Sequence, residues 1–171
     1  MISLNIRRMN IDDVAKVYQI EKDSFPIPWS QNSFLNDINN NKCARYLVAC
    51  IDDKIVGYCG IWIILDEGHV TNIAISKEYR NLGIGKALFS TLISYSAQFG
   101  VRYITLEVRK SNSIAQKIYS DLGFYRVSVR KRYYEDNHED AFIMVSEVNC
   151  DIDDNFSDEN YSKLVMIYNK W

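Results

Sequence analysis

HVTNIAISKEYRNLGIGKALFSTLISYSAQFGVRYITLEVRKSNSIAQKIYSDLGF, residues 69–124, is the stretch whose reading decides the fold. An apolar strand from His69 to Ile75 runs into Arg80-x-x-Gly83-x-Gly85 and then changes period. From Ile84 to Phe99 the apolar positions Ile84, Leu88, Leu92, Ile93 and Ala97 keep one helical face, and Gly100 ends the helix. A strand from Val101 to Val108 and a helix from Asn112 to Leu122 follow, with Gly123 as the helix cap. Strand, glycine turn, long helix, strand, helix is the order of an α/β domain with an anion site at the start of its middle helix.

Working outward, Tyr46–Ile51, Ile55–Leu65 and His69–Ile75 are rich in β-branched and aromatic residues. The breaks Asp52-Asp53-Lys54 and Asp66-Glu67-Gly68 separate them, which predicts an antiparallel meander. Upstream, Asn10 caps a helix in which Ile11, Val14, Val17 and Tyr18 repeat at helical spacing, ending near Ser24. Pro26 and Pro28 interrupt the apolar run Phe25–Trp29, and Ser30 caps a short second helix through Phe34 and Ile38. Downstream, Phe124–Tyr134 and Ala141–Val148 are two more strands. The sum is one mixed central sheet with helices on both faces over residues 1–149. Residues 150–171 form an acidic connector and a C-terminal amphipathic helix, capped by Ser157 and striped by Tyr161, Leu164, Val165 and Tyr168. That stripe packs back onto the domain or, as the second option, makes a homodimer or partner contact.

A chain of 171 residues with 47% hydrophobic content holds one such domain, and is short for two. Its formal charge of -2 gives no global field for nucleic acid, so no direct nucleic-acid partner is expected. Cys43, Cys50, Cys59 and Cys150 show no C-x-x-C spacing, and neither His69 nor His138 has metal-ligand spacing, so no metal is expected. Both histidines read as turn or surface residues. The longest apolar run, Cys59–Leu65, is too short to span a bilayer, and a cytoplasmic protein without membrane contact is the expectation.

Three features carry chemistry. In Arg80-Asn81-Leu82-Gly83-Ile84-Gly85-Lys86 the glycines open backbone angles closed to other residues, and successive N–H groups with the helix dipole suit a pyrophosphate. Ile104, Leu106 and Val108 share one strand face, so Glu107 lies on the other with Tyr103 and Thr105. It reads either as a base taking a proton from an entering amine or as an ion-pair partner of Arg102 or Arg109. Asn112 and Tyr119, seven apart, share a helix face. One is either a ligand for an amide-bearing arm or an N-cap; the other is either an acid for a departing sulfur or a core tyrosine.

Arg80-x-x-Gly83-x-Gly85, Leu106-Glu107-Val108-Arg109, Asn112-x-x-Ala115, and Tyr119 before Leu122-Gly123-Phe124 resemble the GNAT acyl-CoA N-acyltransferases. Pro28-Trp29-Ser30, Asn72-Ile73-Ala74-Ile75, Arg130-Lys131-Arg132-Tyr133-Tyr134 and His138-Glu139-Asp140-Ala141 look like the bacterial ribosomal-protein-alanine N-acetyltransferases within it. The likeness covers roughly residues 3 to 148. It implies the GNAT fold and an acetyl-CoA-dependent transfer to the N-terminal alanine of a small-subunit ribosomal protein, the eighteenth, by direct amine attack on the thioester. By the same resemblance Glu107 is the general base and Tyr119 the general acid. Ile73, Ala74 and Ile75 offer backbone groups to the pantetheine and thioester, Arg80, Asn81, Leu82, Gly83, Ile84, Gly85 and Lys86 wrap the pyrophosphate, and Asn112 touches the cofactor arm. Trp29, Tyr133 and Tyr134 clasp the acceptor peptide. Arg80 and Asn81 depart from the Gln and Arg common in the family, and the tail after Asn149 exceeds its pattern. Two alternatives stand beside this: transfer to lysine or a small amine, and a non-catalytic acyl-CoA-sensing module.

Overall fold

Asn10 opens the first helical segment as its position predicts, accepting hydrogen bonds from the N–H groups of Asp12 and Asp13 while Asp13 accepts from the Asn10 N–H. A 3-10 turn, Ile11–Asp13, leads into α1, Val14–Ser24. α1 spends three positions on the poor helix formers Val14, Val17 and Ile20, at a cost of a few tenths of a kcal/mol each. All three are buried, and burial stabilises by about 1.5–3 kcal/mol per side chain, so tertiary packing decides in favour of the helix. α2, Gln31–Asn40, starts where Ser30 Oγ accepts from Ser33 N–H.

The computed structural model describes residues 2–148 and 165–168. Its strands are β1 Ile2–Arg8, β2 Ala44–Ile51, β3 Lys54–Ile64, β4 Glu67–Ile75, β5 Tyr103–Arg109, β6 Tyr125–Arg130, β7 Ala141–Glu147 and β8 Val165–Tyr168. They form one sheet in the order β6-β7-β5-β4-β3-β2-β1-β8. The meander β2–β3–β4 is antiparallel as expected, and β4 against β5 is the parallel pair. α3, Ile84–Ala97, and α4, Ser113–Asp121, cover one face over a core that includes Leu47, Ile61, Leu88, Phe89, Leu92 and Leu106. α1 and α2 cover the other, over Val17, Phe34, Val48 and Tyr58.

Three readings of the sequence are corrected. β1 was not anticipated, although Leu4 and Ile6 alternate with more exposed Asn5 and Arg7 in the period of a half-buried strand. Residues 165–168, expected in a C-terminal helix, are strand and pair antiparallel with Ile2–Asn5. The run Val165-Met166-Ile167-Tyr168 has strand character, and the free edge of β1 supplies hydrogen bonds that an isolated helix end would not. The connector, Ser157 and Cys150 lie outside the described residues. Finally, β6 stops at Arg130, because Asp140 captures the Arg132 N–H and the Lys131 ammonium and turns the chain. Cys43, Cys50 and Cys59 are free thiols, and no described helix is long and apolar enough to cross a membrane.

The cap at Asn10 is tied to β1 through Arg7, whose guanidinium reaches both Asp13 oxygens at 2.6 and 2.9 Å. Burial alone would raise the Asp13 pKa, but these bonds and the Asn10 N–H hold it below the usual carboxylate range. A depressed folded-state pKa gives stability that is present at neutral pH and lost as pH falls through that value. Asn10→Ala is therefore expected to cost about 1 kcal/mol in urea unfolding at pH 7. Asp13→Asn should lose its deficit relative to the unmodified chain as the pH is lowered below the carboxylate range.

Candidate active site

β4 and β5 are in register only over Glu67↔Tyr103, Gly68↔Ile104 and His69↔Thr105. Beyond that point β4 stays with β3 as far as Ile75, and β5 stays with β7 as far as Arg109. Thr71 has no partner in the β3–β4 ladder, which passes from Gly60↔Asn72 to Ile61↔Val70, and such a bulge bends and twists its strand. The two strands thus fork, and the outward main-chain groups of Ile73 and Ile75 are left without a strand to pair with, while those of Ala74 face β3. Unpaired strand edges hydrogen-bond readily to an extended, amide-bearing chain.

The start of α3 lies just past the end of β4. Asn81 (φ 61°) and Gly83 (φ 77°) both take the left-handed conformation, and Gly83 is an N-cap with no side-chain bond and no acidic residue in the turn that follows. The first N–H groups of the helix, on Ile84, Gly85 and Lys86, are consequently open to an anion. Their side chains go elsewhere: Ile84 is buried in the core, Leu82 is exposed, and Lys86 lies 3.7 Å from Asp121. Arg80 is committed too, donating from Nε to the Ile75 carbonyl at 2.9 Å and from Nη2 to Ser24 Oγ at 3.3 Å, so it braces the end of β4 against α1. At Gly85 an added Cβ would meet only Ile75 Cγ1, at an ordinary 3.6 Å. No crowding inside the protein requires glycine there.

Glu107 stands at the fork. Its side chain is 8% exposed, with Oε2 3.2 Å from His69 Nε2 and Oε1 3.0 Å from Arg130 Nη1. Burial pushes its pKa up, and hydrogen bonding to His69 with the positive charge around it, Arg130 included, more than reverses this, leaving it below the usual value. Neither Arg102 nor Arg109 is the partner: the first lies near Asp66, and the second pairs with Asp136 and Glu139 and stacks 3.8 Å over Tyr134. His69 is likewise not a turn residue. It sits within β4, and its Nδ1 is 3.0 Å from Thr105 Oγ1.

Asn112 is the N-cap of α4, accepting from Ala115 N–H at 3.1 Å, which leaves its amide NH2 as the available donor. Tyr119 is buried against Phe89 and Phe124, and burial drives its phenol pKa far up, assisted by Tyr134. Tyr133 and Tyr134 pack edge to face on the turn after β6, with Arg130 over Tyr133. That turn is pinned by Glu139, which accepts from Ser111 N–H at 2.6 Å and pairs with Arg109, so its pKa falls to about 2. On the opposite rim, Trp29 N–H donates at 2.9 Å to Glu21, a buried carboxylate that also accepts the Tyr58 hydroxyl. Burial raises the Glu21 pKa above the ordinary range.

The structure links Glu107 to Tyr133 through Arg130, which pairs with the carboxylate and lies over the Tyr133 ring, and Tyr133 in turn meets Tyr134 edge to face. Sequence reasoning missed His69, Arg130 and Glu21 as their supports. Only the register His69↔Thr105 reveals the first, and parallel register is set by tertiary packing. No cluster of His, Cys, Asp or Glu among the described residues could hold a metal ion.

Residues 14–124 match the model of the acetyltransferase (GNAT) family. A Bacillus subtilis relative is 42% identical over 144 residues, which are 84% of this chain and 95% of the relative; its name assigns it ribosomal protein bS18-alanine N-acetyltransferase activity provisionally. The crystal structure of the ribosomal-protein-S18-alanine N-acetyltransferase from Escherichia coli superimposes with a TM-score of 0.78 at 31% identity, over 85% of this chain and 94% of that one. Arabidopsis thaliana NAA60 in complex with acetyl-CoA shares the fold, with a TM-score of 0.77 at 23% identity over 85% and 99% of the two chains. The forked sheet, the open helix start and these likenesses agree, and the chain belongs to the GNAT acetyltransferase family, among the bacterial ribosomal-protein-alanine N-acetyltransferases.

Proposed function

We propose that this protein is an acetyl-CoA-dependent N-α-acetyltransferase that modifies the N-terminal alanine of ribosomal protein bS18. The observation that carries the reading is Glu107 at the fork of β4 and β5, between an open helix N-terminus and a rim of aromatic residues. The coenzyme fits what the residues offer: the diphosphate on the N–H groups of Ile84, Gly85 and Lys86, the amide-bearing arm along the free edge of Ile73–Ile75 with Asn112 NH2 as a further donor. When bound, acetyl-CoA supplies the thioester. An acceptor on a ribosome places the reaction in the cytoplasm. Of the two options for the tail, residues 165–168 pack back onto the domain by pairing with β1.

In the reaction, the terminal amine attacks the thioester carbonyl carbon, the C–N bond forms, and the C–S bond breaks with departure of the thiolate. An α-amine with a pKa near 7.8 is roughly 14% free base at pH 7 and a lysine about 0.04%, a bias of roughly 300-fold, or about 3.4 kcal/mol, for the terminus. Once bonded to carbon the nitrogen becomes strongly acidic, so Glu107 suffices as base, directly or through one water, despite its lowered pKa. The proton rests on Glu107 until it is returned to water as the products leave. A backbone N–H near Ile75 holds the developing oxyanion. Tyr119 stays protonated throughout the working range because of its burial, and a phenol is a weaker acid than a thiol. Its contribution is thus a hydrogen bond to the charge growing on sulfur; Tyr119 keeps its proton, and the thiolate takes one from water after it departs.

Glu107→Gln is expected to lower kcat about 100-fold while the calorimetric affinity for acetyl-CoA changes little. Equal loss of both would place Glu107 in cofactor binding instead. The rising limb of kcat/KM with pH should track the acceptor amine, near 7.8, and not a carboxylate, because Glu107 is already ionised well below neutrality. Gly85→Ala should keep or raise the melting temperature, since alanine favours a helix by about 1 kcal/mol and the site has room for Cβ. The same substitution should weaken acetyl-CoA binding several-fold; unchanged affinity would remove the diphosphate from this turn.

A further inference from the structure

Beside the Trp29 rim lies a cavity of about 280 Å³ that the transfer reaction leaves unused, lined by Trp29, Ser33, Asn36, Asp37 and Trp62. Ser33, Asn36 and Asp37 project from one face of α2. The rings of Trp29 and Trp62 are tilted 45° with centroids 6.2 Å apart, forming an aromatic corner. Asp37 closes this corner. Its Oδ2 accepts from Trp62 Nε1 and from the Tyr46 hydroxyl, each at 2.8 Å, and its Oδ1 accepts from Asn41 Nδ2 at 3.1 Å. Those donors are neutral: they fix the carboxylate in place without cancelling its charge, and the lining contains no cation.

One carboxylate beside two indole rings attracts a cation and disfavours an anion. An apolar occupant would set no charge opposite Asp37, whose carboxylate is already buried, and so gains nothing from it. The position is also informative. Trp62 is in register with His69, and His69 with Thr105, so the three lie in a row on the α1/α2 face, and Glu107 follows two residues beyond Thr105. Two strand spacings and two residue rises put Trp62 on the order of 12 Å from Glu107, about the span of three to four extended residues. The row lies at the closed end of the fork, away from the helix start that suits the diphosphate.

We propose that this cavity is a subsite for an arginine or lysine side chain within the first four residues of the acceptor, on the far side of Trp29 from the cofactor. The assignment rests on the N-terminal acetyltransferase reading above and adds a charge requirement to it. Binding there fixes the direction in which the peptide leaves the reacting amine, so selectivity appears in KM more than in kcat.

The test uses the full chain, acetyl-CoA and heptapeptides that begin with alanine in an uncharged background. A single arginine, lysine, norleucine or glutamate is placed at position two, three or four, and the acetylated atom is identified by fragmentation mass spectrometry. Arginine or lysine at one position should raise kcat/KM tenfold or more over norleucine, and further over glutamate. Asn36 is exposed on the cavity rim, where Asn36→Arg suits the helix and sets a cation at the mouth. This variant should erase the cation preference, bringing the arginine, lysine and norleucine peptides to the same kcat/KM. Equal kcat/KM for all four side chains, best turnover with norleucine, or a cation preference that survives Asn36→Arg would each overturn the subsite. Failure to acetylate any N-terminal alanine would instead overturn the N-terminal acetyltransferase reading.

Discussion

Every functional element of this molecule depends on the parting of β4 from β5. Three residue pairs hold the parallel strands together, and the bulge at Thr71 then turns β4 away while β5 remains bound to β7. A parallel ladder broken in the middle of a sheet is expensive, because each unpaired N–H or C=O shut away from water costs as much as a lost hydrogen bond. The fork stays open because both strands are paired on their outer sides, β4 with β3 save at Thr71 and β5 with β7, and are backed by α3 on one face and α1 on the other. An extended ligand carrying amides restores the missing ladder, so binding and sheet completion become the same event. By mass action such a ligand also stabilises the fold.

The polar groups on the α1/α2 face follow one rule. Glu21, Asp37 and Glu107 are carboxylates taken from water, and each is held by fixed donors of a different kind: a main-chain N–H and a phenol, then an indole with a phenol and an amide, then an imidazole with a guanidinium. For Glu21 and Glu107 the pKa direction follows the donor. Neutral donors do not offset the burial of Glu21, whose pKa rises, whereas the charged surroundings of Glu107 pull it down. Glu107 is thereby kept ionised at the fork, as the proposed role of base requires, and Glu21 holds the main chain of Trp29.

Much of this was legible in the sequence, and for specific reasons. The glycine turn, α3 and the placement of Glu107 opposite Leu106 and Val108 follow from local periodicity, which a chain carries along its length. The N-caps at Asn10, Ser30 and Asn112 are equally local. What could not be read depended on register between distant segments. His69 meets Glu107 because Glu67–His69 pairs with Tyr103–Thr105, more than thirty residues away, and Arg130 reaches the same carboxylate from a third strand. The strand at residues 165–168 escaped for a related reason: a spacing of three and one suits a helix, and only the vacant edge of β1 favours extension.

In the reaction proposed above, the fork also separates the two substrates by direction. The open N–H groups of α3 lie beyond the C-terminal end of β4, whereas Trp62 and His69 lie where β4 begins. A diphosphate and a peptide approaching from opposite ends of β4 do not compete for surface, and they meet only at the point where the ladder stops. That point is occupied by Glu107, with Tyr133 and Tyr134 linked to it through Arg130. A direct transfer needs this arrangement, because both reactants must be present together and no enzyme-bound acyl group carries the acetyl across. The turn bearing Tyr133 and Tyr134 must then hold still while two ligands enter. Its anchoring by Arg109 and Glu139 to the β5–α4 corner, with Glu139 ionised far below neutral pH, meets that demand with contacts that no change of pH in the working range would release.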